Sequence, residues 1–255
     1  MRKYHGTPVG GNRVDPARFL RGRDALIPHA RPDDLAIVLD VCRSWIGDNS
    51  AFRYWKTGER VDFDAYADWI KSIYRHPGYE WCLIPDVIDG TEEENARLIH
   101  LWVRNGGKFK GVPVWHLHES LEWLEWLVER FEWVALGSSG QWRTPGTTAW
   151  WQRMSEVRPV VCDSHGRPKC KLHGLRMLDP DIFTRIPFAS ADSTNATVNS
   201  GSISRFGMYK PPTAAQRAEV IASIIEAQNS PAVWLPAGQQ QSIELTLTES
   251  GVACG

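Results

Sequence analysis

Short apolar runs recur along this chain, and stretches with helical spacing separate several of them. The runs fall at residues 3–5, 25–29, 44–47, 81–84, 112–117, 133–136, 171–175 and 187–191. Within the fifth, Val114-Trp115-His116-Leu117 is mainly apolar, as in a strand covered on both faces. Phe63, Tyr66, Trp69, Ile70 and Ile73 share one face of a helix over 62–74. Thr91-Glu92-Glu93-Glu94 opens a helix over 91–103 with a capping-box pattern, and Ser120 opens another over 120–131. Shorter helices are expected at 150–157 and 179–185. Strands that alternate with helices predict a parallel sheet with helical crossovers. Eight strands within about 190 residues predict an α/β fold of the (β/α)8 (TIM) barrel type over an open sheet.

The texture changes after Asp192. Residues 194–204 are rich in Ser, Asn, Thr and Gly and read as a loop over the barrel mouth. A helix over 214–229 starts at Pro211-Pro212-Thr213 and stops at Asn229-Ser230-Pro231. The last segment, 235–255, reads as a frayed tail or a late strand pair through 243–247. The expected organisation is one catalytic barrel over 1–205, with a C-terminal helix and tail over 206–255 packing on it.

A net charge of -1 gives no global signal for nucleic acid. The first 60 residues are more basic, with eleven Lys+Arg against seven Asp+Glu. Arg13, Arg18, Arg21 and Arg23 there, with Arg205, are candidate phosphate contacts. Most of the thirteen Trp read as core and helix-face packing. The five Cys are odd in number and scattered, and the N-terminus lacks an apolar leader core. No run is long enough to span a membrane. The expectation is a reduced, cytoplasmic protein (host cytoplasm for a viral source) with no membrane partner; a homodimer is left open.

Three apolar runs end in an Asp beside small or turn-forming residues: Gly47-Asp48-Asn49-Ser50-Ala51-Phe52, Ile84-Pro85-Asp86 and Ala191-Asp192-Ser193. Barrel enzymes present carboxylates to a common mouth in this way. A carboxylate serves there as nucleophile or as general acid and base. Each Asp also has a plain structural alternative, an Asx-turn for Asp48 and a helix cap for Asp192. His116 and His118 share a face if both lie on a strand, which would suit a metal or a polar pocket. Cys162, His165, Cys170 and His173 form a string whose spacing matches no standard zinc knuckle, so zinc is not the expected cofactor and no cofactor is expected. Gly137-Ser138-Ser139-Gly140 could offer backbone N–H groups to a ligand carbonyl.

In this order the pieces resemble the tRNA-guanine transglycosylase (queuine tRNA-ribosyltransferase) superfamily over roughly residues 1–205. Asp48-Asn49-Ser50-Ala51-Phe52 looks like the family's Asp-Ser-Gly-Gly-Phe motif, whose Asp is the general acid and base. Asp86 is similar to the Asp that reads the guanine edge. His118 falls where the family has a Gln on the base. Gly137 and Ser138 fall where it supplies backbone contacts, His173 and Gly174 at its seventh strand, and Asp192 where it keeps its nucleophile. The family's Cys-x-Cys-x2-Cys…His zinc site is absent, and the chain is shorter than the tRNA enzymes. It is most similar to short phage-type enzymes that place 7-deazaguanines in DNA.

The resemblance implies a glycosyltransferase (a pentosyltransferase) that exchanges guanine in nucleic acid for a 7-deazaguanine such as preQ0 or a derivative. DNA stands ahead of tRNA as the polymer. Asp192 and Asp48 would be catalytic. Asp86, His118, Gly137, Ser138, Phe52, His173 and Gly174 would bind the base, with Tyr4, Phe52 or Trp142 stacking on it. The rivals are a metal-dependent hydrolase of amidohydrolase type, using His116, His118, His173 and Asp192, and a non-catalytic barrel that binds nucleic acid.

Overall fold

The computed structural model describes residues 1–11, 14–59, 62–106, 109–198 and 210–236. Nine parallel strands form one sheet, ordered β5-β4-β3-β2-β1-β9-β8-β7-β6. They are β1 (Arg2–Gly6), β2 (Asp24–Pro28), β3 (Ser44–Asp48), β4 (Tyr79–Leu83), β5 (Gly111–Val112), β6 (Val114–His116), β7 (Trp133–Gly137), β8 (Lys171–Gly174) and β9 (Ser190–Ser193). The two ends of this order, β5 and β6, are separated in the chain by Pro113 alone. The sheet therefore curls into a nearly closed barrel. Pro113 has no N–H to give, but its carbonyl still accepts from Ala135 N–H at 2.9 Å.

Tyr4, Leu26, Ile46, Trp81, Leu83, Val112, Val114 and Ala135 form an apolar cluster from alternate strand positions inside the barrel. A larger cluster, including Ile27, Trp45, Trp115, Leu136 and Leu172, packs the outer strand faces against the helices. Those helices are α1 (Val14–Leu20), α2 (Leu35–Val41), α3 (Ala51–Thr57), α4 (Phe63–Ile73), α5 (Glu92–Gly106), α6 (Leu121–Arg130), α7 (Thr148–Val161), α8 (Pro180–Phe183) and α9 (Ala214–Glu226). The caps are local: Asp62, Ser120, Thr147 and Thr213 each accept a backbone N–H of the first turn. Helix α9 lies beside α1, where Arg23 pairs with Glu219 at 2.6 Å and Glu226 at 2.8 Å. Burial works against ionising Glu226, but hydrogen bonds from His5 and Arg23 win and hold its carboxyl at about 2.

Seven expected strands lie within two residues of the observed starts. The eighth begins at Ser190, not Pro187. Proline cannot donate to a ladder, and Phe188 N–H turns back onto Ile186 C=O, so pairing starts later. Three helices, α1, α2 and α3, were not anticipated. The tail 237–255 and its strand pair, most of the loop 194–204, Arg13 and Arg205 lie outside the described residues. No helix among the described residues is long and apolar enough to cross a membrane.

Candidate active site

A cavity of about 480 Å³ opens at the C-terminal ends of the strands. Asp48, Asp86 and Asp192 all line it, beside His116, Gly137, Ser138, Leu83 and Leu175. Residues over 100 positions apart meet there because every strand of a parallel barrel delivers its last residues to the same end.

Asp48 ends β3, and its Oδ1 accepts Ser50 N–H at 3.0 Å. The Asx-turn is thus present, and the same carboxyl still faces the cavity. Ser50 holds a left-handed φ of 64°, which turns the chain sharply into α3. Its Oγ accepts Ala30 N–H at 3.0 Å, tying the strained turn to the loop after β2. Burial raises Asp48 to about 7; the Ser50 hydrogen bond opposes this, and the charges of Asp192 and Asp86 add to it.

Asp86 is buried and held on both oxygens. Asn49 Nδ2 donates to Oδ1 at 2.7 Å and also to Ile84 C=O at 2.8 Å. His116 Nε2 lies 2.9 Å from Oδ2. Burial disfavours the imidazolium, but the Asp86 hydrogen bond and charge, then Glu119 and Asp89, raise His116 above its ordinary value. Behind it, buried Glu119 accepts His116 backbone N–H at 2.7 Å and Asn95 Nδ2 at 2.9 Å. Two oxygens with one partner each keep acceptor capacity toward the cavity.

Asp192 lies in β9. Its Oδ1 accepts Arg176 N–H at 3.1 Å and lies 3.2 Å from His173 Nε2. His173 is fully buried, and its Nδ1 lies 2.8 Å from Ser190 Oγ. A Ser190–His173–Asp192 chain therefore fixes the carboxyl from below. Arg176 adopts a left-handed φ of 59°, which aims its N–H at Asp192.

Other sequence-predicted residues divide. Phe52, Gly137 and Ser138 line the cavity. His118 does not; it lies past the end of β6, exposed, with Nδ1 2.8 Å from Ser139 Oγ. His116, its strand neighbour, occupies the cavity wall instead. The two rings stack with centroids 5.9 Å apart. His173 supports Asp192 and is not part of the lining. Tyr4 is buried inside the barrel against Trp81, and Trp142 lies outside the cavity lining under the Arg153 guanidinium. Arg18, Arg21 and Arg23 sit at the opposite end, because the chain there is about to enter β2 at its N-terminus; Arg23 is already paired.

The cations at the mouth are others: Arg31, Arg53, Lys56, Arg143 and Arg176. Sequence reading missed them, along with Asn49, Asn95 and Glu119 as supports of Asp86 and His116. Only Asn49 carried a signal, as the neighbour of Asp48. Among the described residues no group of three or more His, Cys, Asp or Glu is gathered as a metal site would require.

Gly174 has a packing role. A Cβ there would lie 2.9 Å from Met177 Cβ and 2.9 Å from the Phe188 ring. Both neighbours are buried, so the methyl cannot be absorbed by solvent-facing motion. Gly174→Ala is expected to cost about 1–3 kcal/mol by overpacking, measurable by urea unfolding. It should also disturb the Arg176 turn that holds Asp192.

Comparison of the chain with protein-family models and with curated proteins finds no match.

Proposed function

We propose that the protein exchanges guanine in nucleic acid, DNA ahead of tRNA, for a 7-deazaguanine base of the preQ0 type, by double displacement. One observation carries this reading: three carboxylates from three strand ends meet in one cavity, in the chain order of the transglycosylase motifs. With β5 and β6 taken as one strand broken at Pro113, the barrel is a (β/α)8 barrel of that kind.

The chemistry assigns each carboxylate a task. Asp192 attacks the sugar C1′, and the C1′–N9 bond breaks with its electron pair leaving on guanine. Asp48, held as the acid near neutrality, gives the departing base a proton. The incoming base then loses its N9 proton to Asp48, and its nitrogen attacks C1′ and releases Asp192. Asp86 accepts from guanine N1–H and the exocyclic amine, with His116 and Asn49 fixing its oxygens. Lining cations suit the flanking phosphates. The target nucleotide leaves its stack to reach the cavity, at a cost of roughly a few kcal/mol.

The test is incubation with radiolabelled guanine and, separately, duplex DNA, single-stranded DNA and bulk tRNA. Label is expected in DNA. Label in tRNA alone would make this a tRNA enzyme. Label in neither polymer, from folded protein, overturns the proposal; stoichiometric zinc in that sample would then support the hydrolase.

A further inference from the structure

Helix α3 is built unlike the others. Only Ala51 of its seven residues is buried, so packing contributes little to holding it. It nevertheless carries large side chains, and they face outward. Phe52 is 41% exposed and Trp55 is 46% exposed. Their ring centroids lie 5.7 Å apart. The Arg176 guanidinium sits 4.1 Å from the centre of the Phe52 ring, across the cavity mouth. Trp55 Nε1 donates to Asp89, which fixes the plane of its indole.

Charge follows the aromatics. Arg53 and Lys56 flank them on α3, and Arg143 and Arg176 face them from other loops of the same cavity. Among the described residues, none of these four cations has an ion-pair partner. The chain as a whole is slightly acidic, so this concentration of unpaired positive charge is local. Phe52, Arg53 and Lys56 line the cavity, while Trp55 lies beyond the lining, next to Phe52.

Exposed rings interleaved with free cations complement stacked bases strung on phosphates. We infer that α3 is a stacking platform for the unpaired DNA nucleotides next to the one whose base enters the cavity. Trp55 would carry a neighbouring base, and Lys56, Arg53 and Arg143 its phosphates. The inference rests on the proposed exchange reaction and sharpens its substrate to single-stranded or locally opened DNA. Duplex DNA keeps its bases stacked on one another and has no ring to offer Trp55.

The experiment is fluorescence anisotropy of the full chain with a labelled oligonucleotide of about 12 nucleotides, as single-stranded DNA, duplex DNA and RNA. Wild type is expected to bind single-stranded DNA most tightly. Trp55→Ala should weaken that binding by about tenfold, the scale of one lost base–aromatic stack, and Trp55→Phe should restore most of it. The salt dependence of Trp55→Ala should match wild type. Lys56→Ala should lower the slope of log Kd against log salt by about 0.7, as for one phosphate on a single strand. Trp55 is exposed, so an unchanged melting temperature checks that its variants fold. A Trp55→Ala affinity within about twofold of wild type overturns the platform and leaves the exchange reaction standing. So does an equal loss on duplex and single strand. A tryptophan-dependent preference for RNA overturns the commitment to DNA. Failure of wild type to bind any of the three overturns the exchange reaction and the platform together.

Discussion

Asp192→Asn is expected to abolish base exchange, with a loss of about 10⁴-fold or more, the scale seen when a covalent nucleophile is removed. The substitution keeps the shape of the side chain. Asparagine Oδ1 can still accept Arg176 N–H, and the neutral amide replaces a carboxyl that is 5% exposed, so the fold should be retained. What disappears is the electron pair that attacks C1′. Wild type incubated with guanine-containing DNA should yield a protein–DNA adduct that survives denaturing electrophoresis, and the variant should yield none. An active Asp192→Asn protein would remove Asp192 as nucleophile. An inactive variant that still forms the adduct would place the nucleophile on another carboxylate of the same cavity. His173 makes the result specific: a buried imidazole within 3.2 Å orients one oxygen of Asp192, leaving the other toward the cavity.

The positions of the three aspartates could be read from sequence because a parallel strand announces its own C-terminal end. Apolar runs stop where the chain leaves the barrel, and Asp48, Asp86 and Asp192 stand at those stops. The same logic located seven of the strand starts. It failed for α3, since pattern reading detects a buried stripe and α3 buries only Ala51. It chose His118 over His116 for a related reason. Two His at i and i+2 look equivalent on a strand, but the strand ends at His116, and only the tertiary position of Asp86 decides between them. The basic N-terminal segment misled in another way. Charge composition shows that Arg18, Arg21 and Arg23 exist, but not that α1 carries them to the end of the barrel away from the mouth. The cations that do reach the mouth come one at a time from separate loops, so no local window of sequence contains them.

The second large effect concerns Asp48, whose carboxyl is raised from 3.8 to about 7. The folded protein holds this proton over a pH range in which the unfolded chain releases it. Below the unfolded value both states are protonated and Asp48 does not affect stability. Between about 4 and 7 the folded state binds more protons than the unfolded state, so stability falls as pH rises, and above about 7 the full cost is present. Asp48→Asn removes that cost. The shift sets a ceiling of about 4 kcal/mol, which solvent reaching the cavity reduces. The variant should therefore melt higher than wild type at pH 8 and close to it at pH 4, as thermal unfolding at the two pH values would show. No pH-dependent difference would mean that Asp48 is ionised across this range. The same proton sets opposite limbs for the two half-reactions. Adduct formation, read as kcat/KM, needs the acid and should fall about tenfold per pH unit above 7. Resolution of the adduct by an incoming base needs the carboxylate and should rise toward pH 7. Parallel pH profiles for the two steps would assign acid and base to different groups, and Asp48→Asn should lose both limbs together.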